Sequence, residues 1–316
     1  MTATIVSATN INIKDNIQRT PSEVDVPTWE VGDQWIYQID SMSFYNDVWH
    51  TILTFSLSMA ELPITVIDTA GNFNTIEFQT STSGQFKVKS NFSDGYILLT
   101  LSFSNLELSG NILIEKSTLG IKEVSVAISK EKFMLQIDQP FIPLPPFLQK
   151  ISAKITMNMI RTFDTPLSLL TFPLNTGTTW FFNSSNSTIN GKIQSNWLYL
   201  LNFFNKIAKL FGHEFIPAKF SELLPIIDIN QAITALDSEN VFKFPVNDSM
   251  MFCTNTENIT VPAGSYNAYT ITFLEGQAQC YYAPMAGNVI KISGNLEQLI
   301  HGLTNFKMEL LSTNYS

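Results

Sequence analysis

The sequence predicts a mainly β protein made of two related antiparallel curved-sheet units, each half-barrel-like, with a helical insertion in the second. Three observations predict this class. Apolar and polar residues alternate over most of the chain, a pair of short motifs occurs twice in the same order, and the apolar spacing changes between about residues 195 and 237. Alternation is typical of half-buried strands, whereas spacing of three and four is typical of amphipathic helices.

The segments with alternating apolar and polar residues define the predicted domain organisation. Residues 1–26 are polar and aperiodic, and we expect a flexible leader there, followed by a first β unit over 27–165 and a second over 166–316. Dipeptides and tripeptides rich in glycine punctuate the first unit and predict turns at Asp94-Gly95, Ser109-Gly110-Asn111 and Leu119-Gly120. Short connections between strands indicate an antiparallel meander.

The internal repeat supports two related units. The segment GDQWIY at 32–37 recurs as GTTWFF at 177–182, and AGNFN at 70–74 recurs as AGSYN at 263–267. The first pair is offset by 145 residues and the second by 193, so about 48 residues have been inserted into the second unit.

The predicted insert occupies about residues 195–237 and begins with an amphipathic helix. Ser195 is the predicted N-cap and Gly212 the predicted C-terminal stop. The apolar stripe of this helix, which we expect to cover a ligand cavity or to plug a core, consists of Trp197, Leu201, Phe204, Ile207 and Phe211.

Charge and composition exclude several classes. The chain has 316 residues, a net charge of −9 and 45% hydrophobic residues, which favours a large core and argues against a nucleic-acid partner. The three histidines are scattered, and no zinc motif, phosphate loop or nucleophile elbow is present. We therefore expect no enzyme activity, no metal and no cofactor. The 24 Phe, 9 Tyr and 5 Trp fill either a core or the lining of an apolar cavity.

Two features favour a location outside the cell, where disulfides persist: six candidate glycosylation sequons, and few charged residues (14%) beside abundant Asn, Ser and Thr. Cys253 and Cys280 lie in segments whose alternating pattern predicts strands, and we expect them to form a disulfide, with two buried free thiols as the alternative. Six Asn-x-Ser/Thr sequons, some expected by chance, are candidate glycosylation sites: Asn91, Asn183, Asn186, Asn247, Asn258 and Asn314. No signal peptide is visible, so the chain is either cytosolic or has lost an export signal, which we favour.

Four segments carry a resemblance to a known group of proteins. They are residues 29–35, 172–180, 261–269 and 281–291. In this order they resemble uncharacterised secreted or lipid-anchored β-rich proteins of archaea and bacteria, which are similar to the open-barrel lipoprotein-carrier superfamily. The resemblance implies a curved antiparallel sheet around an apolar cavity partly covered by helices. This chain lacks the lipidation cysteine near its start.

The sequence therefore predicts an extracellular or cell-envelope, non-enzymatic protein that binds an apolar or lipid-like ligand, or contacts the membrane or another envelope component peripherally. The alternative is a structural or adhesive cell-surface β protein without a small-molecule ligand. A lined apolar cavity would favour the first class, and a solid core the second.

Overall fold

The computed structural model describes residues 23–48, 51–92, 95–138, 150–196, 206, 209, 226–228, 243–244, 248–273, 277–297 and 303–316. Within these ranges the protein is mainly β, as predicted, and the strands form one antiparallel sheet. Residues 23–33, which we call the strap, precede the first strand and include a turn at Val31 and Gly32. Val24, inside the predicted leader, forms a bridge with Leu174, while residues 1–22 lie outside the described part of the chain.

The first six strands form a long meander. They are β1 (Gln34–Val48), β2 (Thr51–Asp68), β3 (Phe73–Phe92), β4 (Gly95–Glu115), β5 (Ile121–Asp138) and β6 (Lys150–Leu167). The remaining strands are shorter. They are β7 (Thr179–Phe182), β8 (Ser185–Ser195), β9 (Ile226–Asp228), β10 (Lys243–Phe244), β11 (Ser249–Val261), β12 (Gly264–Phe273), β13 (Ala278–Ala283), β14 (Asn288–Gly294) and β15 (Leu303–Thr313).

The sheet curls until its two ends approach each other. Its strand order is β10-β8-β6-β5-β4-β3-β2-β1-β15-β14-β13-β12-β11-β7, with β9 also paired to β8. Strand β7 therefore lies at one end and β8 near the other, yet only Asn183 and Ser184 separate them in the chain. Three residue steps span at most about 10 Å, so the ends must meet at this link.

The two separate units and the helical insert are not supported. Strand β1 pairs with both β2 and β15, so the sheet continues across the boundary between the predicted units. Ser195 was predicted to cap a helix but is the buried last residue of β8, where it pairs with Ile155 and donates to the Lys154 carbonyl. Most of the predicted insert lies outside the described residues. Between residues 197 and 242 the structure describes only Lys206 and Lys209, both in helical conformation, and strand β9.

Gly110 does not form the predicted turn. It lies inside β4 opposite Phe78 and Val126. A Cβ at this position would lie 1.9 Å from the Ser125 carbonyl oxygen and 2.7 Å from the Phe78 ring. Glycine is required here because a neighbouring strand and a ring approach the backbone closely. A glycine in the sequence does not by itself distinguish such close packing from a turn.

One loop ties the beginning of the chain to its last third. A 3₁₀ turn at Pro284–Ala286 joins β13 to β14 and is closed by Gly287, which has a left-handed backbone. Backbone carbonyl groups of this turn and of the start of β14 accept hydrogen bonds from three buried aromatic side chains. The bonds run from Trp29 Nε1 to Gly287 O (2.9 Å), from Trp35 Nε1 to Ala286 O (2.6 Å) and from Tyr37 Oη to Val289 O (2.7 Å). The motif at 281–291 thus has a structural role.

The two Gly-x-x-Trp segments form turns with the same hydrogen bonds. Gly32 and Gly177 have φ values of 101° and 84°, which favour glycine. Each glycine N–H donates to a residue on the neighbouring strand, Val66 or Cys253, at 2.8 and 2.7 Å. That residue in turn donates its own N–H to the carbonyl of Asp33 or Thr178, at 2.9 Å in both cases.

Candidate ligand-binding site

The predicted ligand stripe cannot be placed. Trp197, Leu201, Phe204, Ile207 and Phe211 all lie outside the described residues, as do the three histidines His50, His213 and His301. Their proposed roles remain predictions. Within the described part of the chain, no group of three or more His, Cys, Asp or Glu side chains is arranged to hold a metal ion.

The predicted disulfide is wrong. Cys253 and Cys280 are both fully buried free thiols. Cys253 pairs with Ile271 on β12, and Ile271 pairs with Cys280 on β13, so a whole strand separates the two cysteines. Strands are roughly 4.8 Å apart, which places the two Cα atoms at about 9–10 Å, beyond the reach of a disulfide.

The environment of these thiols makes them unreactive. Burial raises the pKa of Cys253 to about 11 and raises the pKa of Cys280 well above its ordinary value. Both therefore remain protonated at neutral pH, and a thiol is a much weaker nucleophile than a thiolate. The pair belongs to the core, together with Ile271 and Tyr282.

The sequons occupy different environments. Asn91, Asn183, Asn186 and Asn258 are exposed, and Asn247 lies outside the described residues. Asn314 is exposed but its amide holds the start of β1: Nδ2 donates to Gly32 O at 3.0 Å, and Oδ1 accepts from Gln34 N at 2.7 Å. A glycan at Asn314 would compete with these contacts, whereas the exposed four are free of that particular constraint.

A cleft of about 400 Å³ lies where the strap crosses the ends of β2, β3 and β4. We call it the strap cleft. Its lining is formed by Val26, Pro27, Thr28, Trp29, Glu30, Val31, Thr69, Asn74 and Lys116. Ligand pockets have volumes of roughly 300–1,000 Å³ and combine apolar walls with a few polar groups, and the strap cleft fits that description.

Two hydrogen bonds hold the strap in place on one side of the cleft, one near its start and one at its middle. The Val24 carbonyl accepts from Leu174 N at 2.8 Å, and Trp29 donates to Gly287 O. The Trp29 ring also packs on Trp35, with 5.0 Å between centroids. A small ligand would therefore meet a wall that is already formed, which reduces the entropy lost on binding.

Asn74 provides a buried polar group in this cleft. Its side chain lies in the inward row of β3 with Ile76 and Phe78, and its exposed fraction is 2%. Its Oδ1 accepts no hydrogen bond from any described residue. A buried carbonyl oxygen without a donor is destabilising.

Lys116 places positive charge beside Asn74. It lies two residues beyond Ile114, which is directly opposite Asn74 across the β3–β4 pair. The ammonium donates to the Thr69 carbonyl at 2.5 Å, and its half-buried side chain forms no ion pair within the described ranges. Since an ammonium has three donors, this bond leaves donors for an acceptor or an anion in the cleft.

A separate apolar patch is exposed on the outer face near the end of the sheet. Phe181 on β7 and Met250 on β11 are directly opposite each other, and Phe252 follows two residues later on the same face. Their exposed fractions are 61%, 59% and 38%. Clustered exposed apolar side chains of this size are more typical of contact surfaces than scattered single residues are.

Comparison of the chain with protein-family models, curated proteins and solved structures gave no match. Among the described residues, no helix is long and apolar enough to cross a membrane. The case for function therefore depends on the strap cleft and on the exposed patch.

Proposed function

We propose that the protein is an extracytoplasmic, non-enzymatic binding protein for an apolar or lipid-like ligand, and that the strap cleft is its ligand site. The observation that carries the proposal is the cleft itself, with Val26, Pro27 and Trp29 as apolar walls. The resemblance to the lipoprotein-carrier superfamily agrees with this class of ligand. The exposed sequons Asn91, Asn183, Asn186 and Asn258 support the proposed location in the envelope or outside the cell.

A fluorescent fatty-acid probe, 11-(dansylamino)undecanoic acid, tests the proposal. The wild-type protein should take up the probe saturably, and Val26→Trp, which fills the cleft, should weaken uptake by about tenfold or more because the probe loses its apolar wall. Glu23→Trp is the matched control, since Glu23 is an exposed strap residue outside the cleft. Absence of saturable uptake by the wild type, or equal uptake by both variants, would contradict the proposal.

The second candidate function is a structural or adhesive role at the cell surface. The exposed patch of Phe181, Met250 and Phe252 favours it, because such a patch suits contact with another envelope component. Under this alternative the double variant Phe181→Ser/Met250→Ser loses association with cell-envelope fractions. The probe experiment then shows no uptake by the wild type.

We also propose that the sheet arose by internal duplication, with β1–β6 related to β7 and β11–β15. The equivalent hydrogen bonds of Gly32 and Gly177 support this relation, as does the position of both Ala-Gly motifs in hairpin turns, between β2 and β3 and between β11 and β12. In this proposal β8, β9 and β10 belong to the inserted part of the second repeat.

A further inference from the structure

We infer that Asn258 carries an N-linked glycan, and that this glycan prevents an open edge of the sheet from pairing with a second copy of the chain. The inference rests on the extracytoplasmic location within the proposed function. It adds a modified residue and a physical role for the modification, neither of which involves the strap cleft.

The open edge belongs to β11. Strand β12 pairs with β11 over residues 251–261, whereas β7 pairs with its opposite side only over 249–252. Two further backbone bonds from the residues just before β7 end at Cys253. From Thr254 onward, this side of β11 therefore has no strand partner among the described residues. Unpaired backbone N–H and C=O groups at such an edge are available to pair with another chain.

The composition of this edge does little to prevent such pairing. Residues 254–260 have the sequence TNTENIT, with no proline, no lysine and one charged side chain, Glu257. That carboxylate accepts a hydrogen bond from Thr270 of β12 at 2.6 Å, which holds it on the paired side of the strand. A register shift between Cys253 and Asn255 interrupts only the beginning of the edge. Edges without charges or proline usually have a cover of another kind.

The sequon supplies such a cover at this position. Asn258, Ile259 and Thr260 form an Asn-x-Thr acceptor within the open edge, and residues 254–258 are all exposed. Asn258 lies directly opposite Asn267 of β12, which is exposed as well. A glycan is bulky and hydrated, whereas a pairing strand must approach to about 4.8 Å. An oligosaccharide on Asn258 and a strand from a second copy therefore exclude each other.

The modification is a glycosyl transfer from a lipid diphosphate-linked oligosaccharide, catalysed by an oligosaccharyltransferase during export. Asn258 Nδ2 forms a bond to the first carbon of the sugar, and the bond from that carbon to the diphosphate oxygen breaks. The amide loses one proton, and the lipid diphosphate leaves. The Thr260 hydroxyl completes the acceptor sequence.

Glycopeptide mass spectrometry of protein purified from the cells that produce it tests the modification. We expect the peptide that contains Asn258 to carry the mass of an oligosaccharide. Thr260→Ala should abolish this mass, and the matched control Thr260→Ser should retain it, because either hydroxyl completes a sequon. An unmodified Asn258 would overturn the inference. Glycans on other sequons would then leave the extracytoplasmic location standing, whereas their absence would remove that support as well.

Light scattering coupled to size-exclusion chromatography tests the role of the glycan. Asn258→Gln should form dimers or larger species at concentrations where the wild type does not. Asn91→Gln is the matched control and should behave as the wild type, because Asn91 is on β3, which has a neighbouring strand on both sides. Adding Thr256→Lys to Asn258→Gln should restore the wild-type mass, since lysine blocks an open edge. An Asn258→Gln protein with the wild-type mass would overturn the proposed role.

Discussion

Cys253 and Cys280 show how the position of a residue in the sheet decides its chemistry. Both side chains belong to a core that includes Ile271 and Tyr282, and neither has a sulfur partner within the described residues. Burial disfavours the thiolate, and so the folded state retains a proton that the unfolded chain releases more easily. The free energy of unfolding therefore decreases at alkaline pH.

The free energy of unfolding should be insensitive to these thiols below about pH 8 and should fall as pH rises above 9. In that range the unfolded state loses protons that the folded state keeps, at up to about 1.4 kcal/mol per pH unit for each thiol. For Cys253 the decline continues to about pH 11. Urea unfolding between pH 8 and 10 measures this slope, and Cys253→Ala should reduce it; an unchanged slope would argue against a buried thiol.

Single residues determine the backbone conformation at several turns. The turns at Gly32, Gly177 and the Pro262-Ala263-Gly264 segment follow from backbone geometry that glycine adopts easily. Gly110 was wrongly predicted to form a turn, because close packing between neighbouring strands requires glycine just as a tight turn does. Asn74 was missed, although a polar residue in phase with Ile76 and Phe78 is a detectable signal.

At the scale of elements, the two tryptophans of the repeated motif occupy different environments. Trp35 is fully buried and donates to Ala286 O, whereas the indole N–H of Trp180 on β7 is buried without an acceptor among the described residues. Tyr315 stacks on Trp35, and a Cβ at Gly287 would lie 2.5 Å from the Tyr315 ring. The loop and the chain end thus pack around Trp35.

Trp35→Phe should destabilise the protein by about 2–4 kcal/mol. The substitution leaves the Ala286 carbonyl without its donor, at about 1–3 kcal/mol, and adds a small cavity. Trp180→Phe is the matched control and should cost less, because no hydrogen bond to a described residue is lost. Chemical denaturation of both variants checks the difference; a Trp180→Phe cost equal to or above that of Trp35→Phe would contradict this account of the loop.

Strands were predicted better than their arrangement, for a physical reason. Alternation reports that one face of a strand is buried, and it correctly predicted a mainly β protein. It does not report which strands are neighbours. The two-unit arrangement is not supported because β1 pairs with β15 through contacts almost 280 residues apart, such as Trp35 with Thr313.

At the scale of the whole molecule, the curled sheet, the strap and the aromatic contacts together form the cleft. The sheet brings the ends of β2, β3 and β4 together, and the strap closes one side because Trp29 reaches the loop after β13. No single segment contains the site, so motif spacing could not have located it. The predicted stripe at Trp197 to Phe211 remains a separate prediction.

Native mass spectrometry of protein purified from the cells that produce it tests the central claim, which is that the strap cleft holds an amphiphilic ligand. The account predicts a wild-type species heavier than the polypeptide and its covalent modifications by the mass of one small amphiphilic molecule, released on collisional activation. Val26→Trp protein from the same cells, in which the cleft is filled, should lack this species while remaining folded. Wild-type protein with no releasable mass, or equal occupancy in both proteins, would contradict the account.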